Sequence, residues 1–302
     1  MRLGVISEMK TRRFFIVLLA SITIAAGCST KGNSVSLMHI HGLGYSHDGK
    51  QIMIPAHDGM VSYSEGKWST TDGKKHDYMG FNIVDNGFYS SGHPAVNSGL
   101  SNPLGIVKST DNGKTLQMLD LAGVEDFHGM AVGYKSHAIY VYNSKPNARL
   151  TSVGLNYTLD ETKTWKKSEM KGLNDEPLTM AAHPTDAAII AVGTKNGLFL
   201  SKDYGNHFDA APMKSLFTAL AFGINGDLWI GTPNSLVRLT GDVVNQIKIP
   251  SLDQDDSLAY IAQNPVNDKE IAFATFKKNV YISSDKGVVW AKIVTEGKGV
   301  NK

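Results

Sequence analysis

The sequence predicts an all-β protein, a β-propeller of six four-stranded antiparallel blades. Three observations predict this fold: an octet motif recurs along the chain, its copies are almost evenly spaced, and the stretches between them read as short β-strands. No amphipathic helical period longer than two turns interrupts these stretches. Short strands with turn signals at regular spacing, about four strands per repeat, are typical of propeller blades.

The repeated octet has the composition of a hairpin turn. Its copies read STDNGKTL, TLDETKTW, SKDYGNHF and SSDKGVVW. Each has Ser or Thr two residues before an Asp, three have Gly two residues after it, and three end on an aromatic residue. The carboxylate can accept backbone N–H bonds, the glycine can take a positive φ, and the aromatic ring can fill an apolar gap. We therefore predict a structural role for the four aspartates, Asp111, Asp160, Asp203 and Asp285.

The spacing of the octets sets the number of blades. From Asp111 to Asp160 is 49 residues, from Asp160 to Asp203 is 43, and from Asp203 to Asp285 is 82, or two repeats of 41. A degenerate copy is therefore expected near Asp242, and VSYSEGKW, which ends at Trp68, reads as another. Six blades follow, and a strand borrowed at the closure of the ring would make seven.

The N-terminal segment is expected to be removed from the mature protein. Two arginines precede an apolar run from Phe14 to Ala26, which is short for a membrane span and ends close to Cys28. The sequence AAGC resembles the lipobox of bacterial lipoproteins, in which the cysteine is acylated. An ordinary cleaved signal and an uncleaved anchor helix are the alternatives. The expected organisation is a lipoprotein signal peptide over 1–28, a short tether over 29–36 and one propeller over 37–302, anchored on the extracytoplasmic face of the cell membrane.

Composition excludes several other classes. The chain has 30 basic and 28 acidic residues, a net charge of +2, and no basic run interleaved with aromatic residues, so no nucleic-acid partner is expected. Cys28 is the only cysteine, and the exported domain therefore has neither a disulfide nor a zinc–thiolate site. A closed propeller has no sheet edge that forces association, so a monomer is expected.

Propeller topology sorts the ten histidines between the two faces of the ring. The first strand of each blade begins at the upper mouth of the central channel, and the loop between the second and third strands returns to that mouth. Four histidines fall on the opposite face or in an octet and are predicted to be structural, namely His47, His137, His183 and His207. The other six face the mouth from the first three blades, namely His39, His41, His57, His76, His93 and His128.

The mouth histidines predict a transition-metal site, because neutral imidazole nitrogen is a preferred ligand of zinc and copper. The predicted ligands are His41, His57, His93 and His128, with Asp77 as a ligand or as a partner that orients an imidazole, and His39 as a further ligand or a proton carrier. His76 is predicted to be a solvated loop residue. The methionines Met38, Met79 and Met130 near the same strand starts would favour copper slightly. For any single histidine, the alternative is an ordinary core or channel residue.

The octets resemble the Asp-box, or BNR repeat, of sialidases, sortilin-type domains and several secreted glycosidases. The series HIHGL, PAHDG, DYMGF, SGHP and DFHGM is similar to a group of exported bacterial propellers labelled glycosylhydrolase-like, over nearly the whole mature chain. The resemblance implies a propeller fold and, only by analogy with Asp-box enzymes, glycoside hydrolysis. Asp-box propellers also include lipoprotein assembly factors, which implies a non-catalytic interaction module as the alternative function.

The residues that a glycoside hydrolase needs are only partly present in the chain. A sialidase needs three arginines to hold a carboxylate, and only Arg149 and Arg238 follow the signal. Other glycosidases need two carboxyls that flank the scissile bond. Seven acids lie at the starts of first strands, and no pair among them is selected, namely Asp77, Glu125, Asp126, Asp175, Glu176, Asp255 and Asp256. If the protein is an enzyme, Asp77 or Asp126 is expected to act as base beside a metal-bound water; the alternative ligand is a glycan or another small molecule.

Overall fold

The computed structural model describes residues 35–71 and 73–300, together with Met1. The predicted signal peptide beyond Met1, its Cys28 and residues 29–34 of the tether lie outside these residues. The regular secondary structure of the described residues consists of β-strands. That part of the chain contains no helix with the length and apolar character needed to cross a membrane.

Within the described residues, six antiparallel sheets follow one another along the chain, and each sheet is one blade. The prediction of a six-bladed all-β propeller is therefore confirmed. Blade 1 comprises β1 (Gly44–Tyr45), β2 (Ile52–Ala56), β3 (Gly59–Ser64) and β4 (Lys67–Thr70). Blade 2 comprises β5 (Asp77–Val84), β6 (Gly87–His93), β7 (Ile106–Ser109) and β8 (Gln117–Asp120). Blade 3 comprises β9 (Met130–Val132), β10 (Ile139–Asn143), β11 (Gly154–Thr158) and β12 (Lys166–Lys167).

The remaining blades repeat the same order, and the last carries one extra strand. Blade 4 comprises β13 (Thr179–Ala182), β14 (Ile190–Gly193), β15 (Leu198–Ser201) and β16 (Asp209–Ala210). Blade 5 comprises β17 (Ala219–Phe222), β18 (Leu228–Thr232), β19 (Ser235–Thr240) and β20 (Val243–Ile247). Blade 6 comprises β21 (Leu258–Gln263), β22 (Ile271–Thr275), β23 (Val280–Ser283), β24 (Ala291–Thr295) and β25 (Lys298–Gly299).

The ring closes between its first described residues and the extra strand β25. The N–H of Leu37 donates to the carbonyl of Gly297 at 2.6 Å, and the N–H of Gly299 donates to the carbonyl of Val35 at 2.9 Å. Leu37 is buried in the apolar cluster that joins blades 1 and 6. The borrowed segment therefore extends the outer edge of blade 6 and does not create a seventh blade.

The hydrophobic core lies between neighbouring blades, because each twisted sheet buries both faces against its neighbours. Blades 2 and 3, for example, share a cluster in which Ile106, Ile139 and Val141 have no solvent exposure. The first three strands of most blades are therefore apolar on both faces, whereas outer strands such as β12 and β20 are largely exposed. This packing holds the start of each first strand close to the propeller axis.

The four octets form turns between the third and fourth strands, on the face opposite the mouth. In one of them, the Thr158 hydroxyl donates to Oδ1 of Asp160 at 2.8 Å, and the Thr164 N–H donates to the same atom at 2.9 Å. The Thr164 hydroxyl donates to Oδ2 at 2.6 Å. The same acceptor pattern recurs at the other aspartates, where the residue four positions after the Asp is Thr115, His207 or Val289.

These turns should make stability sensitive to acid. The hydroxyl of Thr164, its N–H and the hydroxyl of Thr158 lower the pKa of Asp160 to about 2. Because this folded-state pKa lies below the unfolded value of about 3.9, the contribution is complete above pH 4 and is lost as the pH falls towards 2. We expect Asp160→Asn to lower the free energy of unfolding at pH 7, and the difference from wild type to shrink below pH 4. Urea unfolding of wild type and the variant at several pH values measures this difference in free energy.

The exposed carboxylate of Asp209 in β16 provides the control for this measurement. Asp209→Asn should leave the unfolding free energy within about 0.5 kcal/mol of wild type at pH 7. A deficit in Asp160→Asn that stays constant from pH 7 to pH 2 would contradict the assignment of the effect to the ionised turn.

Candidate metal centre

A cavity of about 390 Å³ lies on the propeller axis and is lined by the first strands of all six blades. His41 of blade 1 and His128 of blade 3 line it on one side. Leu178 and Phe276, which precede β13 and follow β22, line it from blades 4 and 6, and both are more than half exposed. The upper mouth therefore combines an imidazole side with an apolar side.

Three of the predicted ligands meet in what we call the first cluster, formed by His41, His57 and Asp77. One ligand atom from each residue lies within 4.8 Å of the other two. Nδ1 of His57 is 2.7 Å from Oδ2 of Asp77, and Nε2 of His41 is 3.4 Å from Oδ1 of the same carboxylate. The cluster thus joins two blades, because Asp77 begins β5 whereas both histidines belong to blade 1.

The local sequence allows this close approach of blades 1 and 2. A Cβ atom at Gly42 would lie 2.9 Å from Cβ of Phe81, so only glycine fits next to His41 without a shift. The N–H of His41 donates to the carbonyl of Pro55 at 3.0 Å, which holds this residue beside the end of β2. His57 is the next residue after β2, and its ring therefore reaches the same carboxylate.

Two buried atoms of the first cluster have no hydrogen-bond partner, Nε2 of His41 and Oδ1 of Asp77. Buried polar atoms normally have a partner, and an unpaired one costs free energy. Two ligands about 2.0–2.1 Å from a tetrahedral zinc ion are about 3.4 Å apart. The 3.4 Å separation of these two atoms therefore fits a shared cation, and two imidazoles with a carboxylate suit zinc, copper or nickel.

Electrostatics keeps His41 in the form that binds metals. Burial lowers the pKa of His41, and the charges of His39, His128 and His57 lower it further, whereas the Asp77 carboxylate opposes them. The net pKa lies below the ordinary value of 6.5, so the ring is neutral at pH 7. A neutral imidazole offers a nitrogen lone pair to a metal ion.

The other two predicted ligands meet a carboxylate that was not predicted as a ligand, and we call this group the second cluster. Nε2 of His128 is 3.0 Å from Oδ2 of Asp126, and Nε2 of His93 is 3.3 Å from the same oxygen. The hydrogen bond that His128 donates to Asp126 raises the pKa of His128 in spite of partial burial. Burial alone would raise the pKa of Asp126, but the bond from His128 and the charges of both histidines lower it.

His39 lies beside the first cluster and is exposed. Its ring centroid is 5.8 Å from that of His41, in a stacked arrangement, and 6.1 Å from that of His57. The structure therefore groups the predicted ligands into two clusters rather than one ring. Metal binding itself stays a prediction.

The prediction that His76 is a solvated loop residue is wrong. It is buried and not a solvated loop residue, because the loop after β6 covers it and the N–H of Ala95 donates to its Nδ1 at 3.1 Å. Burial and the charge of Lys74 lower its pKa. His93 is the last residue of β6 rather than part of the following loop. Asp126 could have been recognised as a ligand candidate, because DFHGM and DYMGF align it with Asp77.

Several acids predicted near the mouth hold loops together. Asp175 accepts hydrogen bonds from Thr194 and Asn196, and Asp256 accepts one from Asn279. Both arginines that follow the predicted signal are paired with acids, Arg149 with Asp120 and Arg238 with Asp227. Among the described residues, no arginine cluster of the sialidase kind is present.

The comparisons with known proteins identify the fold. No family model matches the sequence, and the comparison with curated proteins gives no match. Among solved structures, the GH74 enzyme of Niastella koreensis superposes with a TM-score of 0.57 at 15% identity, over 86% of this chain and 46% of that one. The GH74 xyloglucanase of Xanthomonas campestris gives 0.55 at 14% identity, over 87% and 46%. The chain spans less than half the length of each enzyme, and at such identities the likeness concerns the propeller fold alone.

Proposed function

We propose that the protein is a metal-binding β-propeller that holds a divalent transition-metal ion at its upper mouth and presents it to a small ligand in the central channel. The observation that carries the proposal is the first cluster, in which Nε2 of His41 and Oδ1 of Asp77 are buried, unpaired and 3.4 Å apart. The adjoining cavity of about 390 Å³ supports the binding of a small ligand in the channel, because it is large enough for a small organic molecule.

Zinc and copper both fit the donor set. Two imidazoles and a carboxylate are ligands that each ion accepts. Met79 and Met130 line the same cavity and are mostly buried. Because thioether sulfur is a common ligand of copper, these residues favour copper over zinc.

Metal content is the direct test. The purified full-length chain is expected to carry zinc or copper in elemental analysis, to lose it to a chelator, and to melt at a higher temperature when the ion is restored, because the ion binds the folded state. His57→Gln should reduce the bound metal and abolish most of the rise in melting temperature. The His57 side chain is half exposed, so this change should leave the metal-free protein folded.

His207→Thr is the matched control, because it also replaces a histidine that touches a carboxylate. His207 lies in an octet turn on the opposite face, and two other turns have threonine at its position. This variant should bind metal as wild type does. A metal-free native chain that neither zinc nor copper stabilises would instead favour the non-catalytic interaction module.

The AAGC sequence supports a lipoprotein anchored through Cys28 on the extracytoplasmic face of the cell membrane. Glycoside hydrolysis is supported only by the resemblance of the motifs and by the shared fold. The low pKa of Asp126 suits a ligand or a base and is the opposite of what a general acid requires.

A further inference from the structure

We infer that the outer edge of blade 5 is an interface for a second copy of this chain, which pairs through β20 in antiparallel orientation. A closed ring, from which a monomer is expected, still leaves the outermost strand of each blade as a free sheet edge. Natural proteins protect such edges with charges, proline or short strands. β20 ends the sheet of blade 5 and has none of these forms of protection.

β20 differs from the outermost strands of the other five blades. Each of those strands contains at least one lysine or aspartate, and none is longer than four residues. β20 has five residues, VVNQI, with neither a charge nor a proline. Val243 and Val244 are 60% and 52% exposed. Within the described residues, the blade edge without charges is therefore also an apolar one.

The neighbouring octet turn of blade 6 extends this apolar surface. The indole N–H of Trp290 in this turn donates to the carbonyl of Lys248, the residue after β20, at 2.9 Å. The two positions before the last residue of the octet are KT, KT and NH in the other three copies, but here they are Val288 and Val289. Both valines are more than half exposed. An exposed apolar patch of this kind is typical of a protein–protein contact.

The pairing of β20 with β19 leaves backbone donors and acceptors free on the other side of β20. Thr240 and Val243 close the two-residue hairpin between these strands, so every second residue from Val243 directs its hydrogen bonds to β19. Successive residues of a strand direct these groups to opposite sides, and the N–H and C=O groups of Val244 and Gln246 therefore face outwards. An added antiparallel strand would satisfy them.

The sequence around β20 selects a two-fold register for the added strand. When Asn245 of one copy lies opposite Asn245 of the other, Val244 lies opposite Gln246, and each such pair can exchange two backbone hydrogen bonds. The same register places the exposed Asp242 of each copy opposite the exposed Lys248 of the other. A shift of two residues in either direction separates these charges. This self-complementarity identifies a second copy as the occupant, and a two-fold pairing closes at the dimer.

Sedimentation velocity of the full-length chain in a mild detergent, over a series of concentrations, tests the inference. Wild type should shift from monomer to dimer as the concentration rises. Asn245→Lys should raise the dimer dissociation constant about tenfold or more, because two lysines would lie opposite each other at the two-fold axis. Ser69→Lys is the matched control, since Ser69 is an exposed residue in the outermost strand of blade 1. This control should dimerise as wild type does.

A charge exchange tests the register. Asp242→Lys and Lys248→Asp should each weaken dimerisation, because each places like charges opposite each other at both ends of the paired segment. The double replacement Asp242→Lys/Lys248→Asp should restore the dissociation constant to within about threefold of the wild-type value. Both side chains are exposed, so all three variants should unfold in urea at the same midpoint as wild type.

Three outcomes would overturn the inference. The first is a wild-type chain that stays monomeric at the highest concentration. The second is a dimer that Asn245→Lys does not weaken, as association through the apolar run at residues 14–26 would produce. The third is a double replacement that fails to restore dimerisation, which would point to a different partner for this edge. The inference is independent of the proposed function, because Asn245→Lys should bind metal as wild type does.

Discussion

Asp77→Asn is expected to reduce the affinity of the first cluster for zinc or copper by about 100-fold or more. Both oxygens of this carboxylate face imidazoles, with Oδ2 2.7 Å from His57 and Oδ1 3.4 Å from His41. Asparagine keeps the shape of the side chain but removes the negative charge and replaces one oxygen with a hydrogen-bond donor. It therefore removes a ligand atom and the charge that compensates the cation.

The measurement is a competition titration of the metal-free full-length chain against a chelating indicator. Asp58→Asn is the matched control, because Asp58 is an exposed carboxylate in the same loop as His57. The control should bind metal with wild-type affinity. In wild type, zinc at about 100 times its dissociation constant should add about 2.7 kcal/mol to the free energy of unfolding, and Asp77→Asn should lose most of this increment. Equal affinities for the variant and wild type would rule out Asp77 as a ligand.

Gly80→Ala should destabilise the protein by about 2–4 kcal/mol, which combines the cost of a left-handed alanine with that of overpacking. Gly80 has a φ of +54°, and a Cβ atom there would lie 2.4 Å from the carbonyl oxygen of Phe127 and 3.0 Å from Cβ of Met130. Neither neighbour can yield easily, because both belong to the packed interface between blades 2 and 3.

Gly129→Ala is the matched control for this prediction, since Gly129 has the same position in DFHGM that Gly80 has in DYMGF. A Cβ atom at Gly129 would meet no atom closer than 3.6 Å. The control should therefore change stability by less than about 1 kcal/mol, and reduced chain entropy in the unfolded state could make the change favourable. Urea unfolding of both variants measures their free energies of unfolding. An equal loss of stability in the two variants would show that the contact with Phe127 is unimportant.

Gly80→Ala should also disturb the contacts within the second cluster. Phe127 lies between Asp126 and His128 in the chain, so a displaced carbonyl would move both members of the second cluster. The first cluster should keep most of its affinity for metal, because the added methyl group presses on the segment of blade 3. Metal titration of Gly80→Ala thus connects the packing of the two blades with the geometry of the mouth.

Local sequence patterns were sufficient to predict the fold. Hydrogen bonds in the turn of Asp160 join residues at most four positions apart, and alternation of turns and strands requires no knowledge of distant contacts. The spacing of the turns then predicted six blades, and antiparallel order assigned each histidine to a face. Burial of His76 was missed because it depends on the path of the loop that contains Ala95.

By itself, the sequence determined the propeller and the face on which the mouth histidines lie, and it limited the number of blades to six or seven, because each of these follows from repeats and from interactions between near neighbours in the chain. Only the tertiary structure decided that His57 meets Asp77 and that His93 meets Asp126, residues 20 and 33 positions apart in adjacent blades. Such pairs depend on how closely two sheets pack and on the rotation between them. That packing is a property of the whole ring, and no local pattern encodes it.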